Sequence, residues 1–184
     1  MHILLVSAGG GGGNILRSVM ATFRRDLAEV FPNVQVDSVA VHGAEVLSSS
    51  VSVEFQGALN SPQYKRVVSL SSSWMPRSYV TALANSSTRT QDVVLPSPWT
   101  TEEEIHIALP QGAEVVSLPR DQNISSAFGS LRLHYKKSGG EVIIQSHVQF
   151  EKARVAAADY PAFRQFCAQA ERSFRNEITL SLPQ

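Results

Sequence analysis

The chain has 184 residues, of which 43% are hydrophobic and 17% are charged, and its 16 basic side chains balance 16 acidic ones. This composition excludes a disordered chain and fits one globular domain, or one domain with an added element. A pI of about 7.0 gives no general attraction to nucleic acid or to an anionic membrane, so we expect neither as a partner. Because Cys167 is the single cysteine, no intrachain disulfide is possible.

The first forty residues have the pattern of a β-α-β unit. An apolar strand from Ile3 to Val6 leads into a glycine-rich turn and a helix predicted from Asn14 to Val30. Pro32 and the residue after it end this helix, and a second strand is predicted from Val34 to Ala40. The first apolar run is too short for a secretory core or a membrane span, so the sequence predicts no signal peptide and no transmembrane segment.

The glycine run is the most distinctive motif of this N-terminal unit. The motif has six residues, five glycines and the asparagine that begins the predicted helix: Gly9, Gly10, Gly11, Gly12, Gly13 and Asn14. Backbone N–H groups of glycines, together with a helix N-terminus, favour a bound phosphate. The run is similar to the glycine-rich start of tubulin and FtsZ-like GTPases, which implies GTP binding by these six residues. A flexible connection is the other interpretation, and we favour it because neither a second glycine-rich phosphate loop nor a Gly-Lys-Ser/Thr motif follows.

From Ala44 onward the sequence has the character of β-structure. Serines, β-branched residues and prolines replace long helical periods, and alternating runs predict strands at 46–55, 104–109, 131–135 and 177–182. The turn signal at 136–140 predicts a hairpin that continues over 141–150. Near the C-terminus, DYPAFRQFCAQAERSF predicts a helix over 160–174 with Asp159 as its cap. Its predicted buried face consists of Phe163, Phe166, Cys167, Ala170 and Phe174.

These elements predict a mainly β, β-dominated α+β protein. We expect an immunoglobulin-like β-sandwich of about seven strands with a C-terminal helix, plus an N-terminal β-α-β element. The predicted boundary separates residues 1–43, the β-α-β element with its glycine-rich turn, from residues 44–184, the β-sandwich domain with its helix.

The chemically reactive residues do not form a recognisable catalytic pattern. Cys167 lies on an apolar helix face and is predicted to be an inert core residue. His106, His134 and His147 lie in predicted strands and would suggest a metal site if all three met on one sheet face, whereas separate strand histidines are the ordinary outcome. The run at 102–104, EEE, is interpreted as a solvated strand entrance with no visible pairing partner. We therefore predict no catalytic residue and no metal site.

The remaining polar and aromatic candidates receive structural interpretations. The serine runs at 48–50 and 71–73 lack the Gly-x-Ser-x-Gly pattern of hydrolases and are predicted to be strand-edge or loop residues. Arg89 and Arg154 are predicted either to pair with acidic residues and orient strands or to lie on the surface. Four aromatic residues are predicted to pack in the core rather than to form a recognition surface: Trp74, Trp99, Tyr135 and Tyr160.

Three segments follow one another in an order that is more specific than any one motif. LPSPWTTEEEIHIALPQG spans 95–112, VVSLPRDQNISSAFGSLRLHYKKSGGEV spans 115–142, and RVAAADYPAFRQFCAQAERSFRNEITL spans 154–180. With these segments, the region from Val46 to Leu182 resembles the C-terminal region of bacterial transglutaminase-like proteins, in which domains of unknown function flank a papain-like core. The resemblance implies a β-sandwich module in an exported or periplasmic family, without catalytic residues of its own.

The resemblance therefore implies a non-catalytic accessory or protein-interaction module. Its partner would be another protein or a transglutaminase-like core, and no cofactor is expected. The alternative, from a different functional class, is a GTP-binding protein that holds the nucleotide at residues 9–14. That alternative requires parallel strands downstream, against which the spacing of prolines and turns argues.

Overall fold

The alternating runs of the sequence form antiparallel strands that pack around one core. The computed structural model describes residues 2–10, 25–31, 34–43, 50–59, 67–74 and 77–183. Its strands, in chain order, are β1 (His2–Gly10), β2 (Val34–His42), β3 (Ser50–Leu59), β4 (Val67–Ser71), β5 (Val93–Val94), β6 (Trp99–Ala108), β7 (Glu114–Ser117), β8 (Gln122–Ser126), β9 (Gly129–Ser138), β10 (Glu141–Phe150), β11 (Arg154–Val155) and β12 (Glu177–Ser181).

Three sheets contain these strands. The largest has seven strands in the order β2-β3-β1-β6-β10-β9-β8, the second has the order β4-β12-β7, and the third is the short pair β11-β5. Every recorded strand pairing is antiparallel. The predicted β-dominated fold is therefore confirmed.

Short helical elements connect and cover the sheets. Residues 25–30 are helical. Further along the chain lie α1 (Tyr79–Leu83), a 3₁₀ turn (Ala157–Asp159) and α2 (Tyr160–Ser173). Within the described ranges, no helix has the length and apolar character that a membrane crossing requires.

Strand alternation divides the seven-stranded sheet into an inner face and a solvent face. On β6, Ile105 and Ile107 are fully buried, and on β10 the register places Ile144 and Val142 opposite them. Side chains of the three-stranded sheet join the same core, because Leu70, Ile178 and Leu180 are also buried there. This common core is the reason the two sheets pack against each other, since each has one apolar face to remove from water.

Aromatic rings fix α2 on the inner face of the large sheet. The Phe150 ring on β10 stacks on Trp99 with a centroid distance of 4.4 Å. On its other sides Phe150 meets Phe166 of α2 at 5.4 Å and Tyr79 of α1 at 5.4 Å. Edge-on and stacked ring pairs of this kind stabilise a core beyond the area that they bury.

The predicted C-terminal helix and hairpin are confirmed. All five residues predicted on the buried face are buried: Phe163, Phe166, Cys167 and Ala170 lie in α2, and Phe174 follows its last residue. The cap differs from the prediction, because the Asp159 side chain makes no hydrogen bond at the helix N-terminus and a 3₁₀ turn precedes the helix instead. The hairpin joins β9 to β10 through Gly139 and Gly140, whose φ angles of 56° and 87° suit a tight two-residue turn.

The N-terminal strands occupy positions that the sequence pattern did not indicate. β1 pairs with β3 on one side and with β6 on the other, so it lies in the middle of the large sheet. β2 also pairs with β3, which places β3 between the two strands of the predicted β-α-β unit. The seven-stranded sheet thus includes both N-terminal strands, whereas we expected about seven sandwich strands from residues 44–184 alone. The boundary at residues 43 and 44 stays a prediction.

Gly129 occupies a site that admits no side chain. Its φ of 154° lies at the limit of the region favoured by glycine, and a Cβ atom there would be 1.9 Å from the carbonyl oxygen of Gln149 on β10. The preceding residue, Phe128, is buried with its ring 5.5 Å from that of Phe163. The FG pair of the sequence therefore has two roles: one residue packs on α2, and the other lets β9 approach β10.

We expect Gly129→Ala to lower the free energy of unfolding by about 2 to 4 kcal/mol, because the added methyl group must displace backbone. The measurement is urea unfolding followed by circular dichroism. Gly139→Asn is the control, since no atom lies within 4 Å of a Cβ at that position and asparagine tolerates positive φ. Equal stability of the two variants would contradict the close approach at residue 129.

Candidate functional site

Three neighbouring glutamates of β6 lie on opposite faces of the large sheet. Glu103 is on the inner face, where 3% of the residue is exposed. Glu102 and Glu104 are on the solvent face, with 64% and 44% of their side chains exposed. The interpretation of this run as a solvated strand entrance is therefore wrong for Glu103, because strand alternation turns every second residue inward.

Glu103 is part of a buried ion pair with Arg77. Their side chains are 1% and 6% exposed, and an Arg77 Nη2 atom contacts Glu103 Oε1. Two serine hydroxyls add hydrogen bonds to the same carboxylate: Ser73 Oγ lies 3.0 Å from Glu103 Oε2, and Ser146 Oγ lies 3.2 Å from it. A buried carboxylate requires such partners, because an unpaired charge in the core is costly.

Arg77 is held on several sides. Its Nε donates to Ser73 Oγ at 3.1 Å, and its Nη1 donates to the Tyr79 hydroxyl at 3.3 Å. The guanidinium carbon also lies 4.9 Å from the centre of the Phe174 ring, a cation–π contact. Burial by itself would lower the pKa of Arg77, but the Glu103 carboxylate and the Tyr79 hydroxyl together outweigh this effect and raise it. Burial also raises the pKa of Tyr79, so its hydroxyl stays protonated.

A second buried hydrogen-bond chain connects β9 to the residues that follow β4. The Tyr135 hydroxyl donates to Ser72 Oγ at 2.9 Å, and Ser72 Oγ donates to the carbonyl oxygen of Asn176. The interpretation of the run at 71–73 as strand-edge or loop residues is correct for their place in the chain, but Ser72 and Ser73 are fully buried. Since these hydroxyls are committed to fixed partners, the network holds the two sheets together rather than presenting a reactive group.

All three predicted histidines lie on the solvent face of the large sheet. His106, His134 and His147 project from β6, β9 and β10 on this face, as the metal hypothesis required. Each is paired with carboxylates: His147 Nδ1 lies 3.0 Å from Glu102, His134 Nδ1 lies 2.7 Å from Asp121, and His106 contacts two. Among the described residues, no group of three or more ligating side chains could hold a metal ion.

His106 is paired with two carboxylates on this face. Its Nε2 lies 2.7 Å from Glu104 Oε1, and its Nδ1 lies 3.2 Å from Glu141 Oε2. The hydrogen bond to Glu104 is the main cause of a raised His106 pKa, although partial burial opposes it. The same bond, with one from Gln145, lowers the pKa of Glu104.

A groove beside α2 has a volume of about 760 Å³. Its floor is apolar, and its rim carries charged and amide side chains. The floor consists of the buried residues Phe128, Val155 and Phe166; the exposed rim includes Asp92, Lys152, Arg154, Asp159, Ala162, Gln165 and Gln169. We call this site the α2 groove.

One wall of the α2 groove is fixed by an acidic side chain. Arg154 Nε donates to Asp92 Oδ2 at 2.8 Å, and the Ala157 N–H donates to Asp92 Oδ1 at 3.0 Å. These two hydrogen bonds, the one from Ala157 first, lower the pKa of Asp92. Arg154 therefore pairs with an acidic residue and orients a strand. This is the first of the two roles that the sequence predicted for it.

Cys167 has the environment that the sequence predicted. It is fully buried on α2, and burial raises the pKa of its thiol to about 12. Because the thiolate is the reactive form, a thiol with so high a pKa is a poor nucleophile at neutral pH. The predicted buried position on the helix face is confirmed.

The aromatic candidates also lie in the core. Trp74, Tyr135 and Tyr160 are buried, and Trp99 is half-buried against Phe150. Arg89 lies over the Tyr160 ring at 5.5 Å from its centre, so it contributes a cation–π contact.

The residues of the nucleotide hypothesis are only partly within the described ranges. Gly9 and Gly10 form the end of β1, opposite Val51 and Ser50 of β3, rather than a turn. Gly11, Gly12, Gly13 and Asn14 lie outside the described residues. GTP binding by this run stays a prediction.

Comparison with models of known families matches residues 51–180 to DUF3858, whose description reads "Domain of Unknown Function with solved-structure structure". The match runs from β3 to β12 and covers all the residues of the buried ion pair and of the α2 groove. No curated protein and no solved structure matches the chain.

We expect Arg77→Met to lower the free energy of unfolding by about 3 to 5 kcal/mol, because it leaves a buried carboxylate without its cation. The double variant Arg77→Met, Glu103→Gln should lose less free energy of unfolding than Arg77→Met alone, since a neutral amide still hydrogen-bonds Ser73 and Ser146. Urea unfolding of both variants and of Glu103→Gln alone completes a double-mutant cycle. If the losses of the two single variants add up to the loss of the double variant, then Arg77 and Glu103 do not stabilise each other.

We expect the stabilising effect of His106 to depend on pH. Because its pKa is raised in the folded protein, its contribution is complete below the ordinary value of about 6.5 and is lost as pH rises through the raised value. His106→Gln should therefore be less stable than the parent at about pH 5.5 and close to it at about pH 8.5. His42→Gln is the control, because His42 lies 3.9 Å from Glu54 in a more exposed pair. A His106→Gln deficit that stays constant with pH would contradict this account.

Proposed function

The chain belongs to the DUF3858 family, and we propose that it acts as a non-catalytic protein-interaction module that receives part of another protein in the α2 groove. The observation that carries this proposal is the composition of the groove. Phe128, Val155 and Phe166 form an apolar floor, and charged and amide side chains surround it. Protein interfaces have the same organisation, with an apolar centre inside a polar rim.

The state of the other polar residues supports a binding role over a catalytic one. The buried carboxylate, Glu103, is neutralised by Arg77 and hydrogen-bonded by two serines. Cys167 is buried, with a pKa raised to about 12. A nucleophile or general base needs a free reactive group with access to a substrate. Neither Glu103 nor Cys167 lines the α2 groove. One wall of the groove carries an ion pair between Arg154 and Asp92.

The resemblance of the region from Val46 to Leu182 to transglutaminase-like proteins suggests where the bound segment comes from. We propose that a transglutaminase-like core is the partner and that the chain serves it as an accessory module. A groove of this size accommodates a few side chains of such a core, which fits docking at a domain interface.

The test is selection of random linear peptides on the purified chain, followed by fluorescence anisotropy with each selected peptide. Ala162→Glu introduces a charge at an exposed position of the groove, and we expect it to weaken peptide binding by about tenfold or more, because the bound apolar side chain would then face a carboxylate. Ala108→Glu is the matched control, since Ala108 is also exposed but lies on the solvent face of β6.

Peptides that lose affinity for Ala162→Glu and keep it for Ala108→Glu support the proposed function. A selection without binders, or binders that both variants retain equally, overturns it. A purified transglutaminase-like core is then added as a competitor. Displacement of the peptides supports the proposed partner. If the core does not displace them, it is not the partner, but the proposed interaction role is unaffected.

A further inference from the structure

We infer that the α2 groove binds its partner as an extended segment that adds a strand to the open edge of β11. This inference rests on the proposed function and names the conformation and the side chains of the partner. Strand addition of this kind takes affinity from backbone hydrogen bonds and specificity from pockets for alternate side chains. In the α2 groove, the backbone of β11 offers hydrogen bonds to an added strand. The floor and the rim offer contacts to the side chains of that strand.

The backbone of β11 has an unpaired edge. Among the described residues, β11 pairs with β5 alone, with Arg154 opposite Val94 and Val155 opposite Val93. Leu95 continues this ladder, because its N–H donates to the carbonyl oxygen of Ala153 at 2.8 Å. In an antiparallel ladder, alternate residues direct their N–H and C=O groups to opposite sides. The N–H and C=O groups of Arg154 therefore face away from β5 and are available to another strand.

The same residues line the groove. Arg154, Val155 and Ala156 form part of its wall. The floor lies beside them, because Val155 is part of β11 and Phe166 of α2 lines the same groove. A segment paired with Arg154 would point every second side chain toward this floor. We therefore assign an apolar residue, flanked by residues that face solvent, to the centre of the bound segment.

The rim indicates the charges of the segment. Lys152 and Asp159 are both exposed on the rim and have opposite charges, and no ion pair is recorded for either within the described ranges. Arg154 is different, because Asp92 already holds its guanidinium. Charge complementarity therefore favours a segment with an acidic residue near Lys152 and a basic residue near Asp159. This combination of main-chain, apolar and charged contacts suits a polypeptide.

The site is also preorganised. The Asp92 carboxylate fixes both the Arg154 side chain and the Ala157 N–H, so it holds β11 beside the start of α2. Tyr160, the first residue of α2, donates its hydroxyl to the carbonyl oxygen of Ser86 at 2.6 Å. A wall that is already fixed loses little conformational entropy when a strand is added to it.

The experiment uses the peptides selected on the full chain and replaces one backbone N–H at a time by an N-methyl group. Strand addition predicts a period of two: methylation of residues whose N–H faces β11 should lower affinity by about tenfold, and methylation of the residues between them should have little effect. On the protein, Arg154→Pro removes the N–H that faces the segment, and Arg154→Ala is its control because it removes only the side chain. We expect Arg154→Pro to bind at least about tenfold more weakly than Arg154→Ala.

The outcomes separate this inference from the proposed function. A two-residue period in the methylation series supports strand addition, even if Arg154→Pro does not fold. Peptides that are sensitive to Ala162→Glu but tolerate methylation at every position overturn strand addition and leave the proposed function in place. The absence of any groove-binding peptide overturns both.

Discussion

The buried ion pair between Arg77 and Glu103 connects the parts of this fold that local sequence keeps apart. Glu103 lies on the inner face of the large sheet, and Arg77 lies just before α1, so their contact fixes the segment after β4 against that sheet. Neither charge is tolerable there without the other. Ser73, Ser146 and Tyr79 then complete the hydrogen bonds of the pair, and the Phe174 ring covers the guanidinium.

The position of α1 depends on this pair, and α2 is packed against α1. The Val80 N–H at the start of α1 donates to Glu171 of α2 at 3.1 Å. Phe150 of β10 meets rings from both helices, which ties them to the sheet. Since α2 forms one side of the α2 groove, the shape of the proposed binding site depends indirectly on a charge pair in the core. Such coupling explains how the proposed interaction module can depend on buried polar residues.

The two faces of the large sheet have different physical characters and different roles. The inner face carries the core and the ion pair, while the solvent face carries histidine–carboxylate pairs such as His106 with Glu104. Surface pairs of this kind contribute little to stability individually. The solvent face therefore tolerates change in its charge with pH, whereas one wall of the α2 groove is held by the hydrogen bonds of Asp92.

The sequence alone determined the elements that depend on local patterns: the Gly139–Gly140 hairpin, the C-terminal helix with its buried face, and the buried position of Cys167. These follow from turn chemistry and from helical or strand periodicity over a few residues. The inward position of Glu103 was also readable, because Ile105 and Ile107 share its parity on β6. Only the tertiary structure decided that Arg77 would neutralise it, that β1 would lie between β3 and β6, and that β11 would form a wall of a groove with α2. Those features join residues that are distant in the chain, and they depend on which surfaces pack together, a choice that local periodicity does not encode.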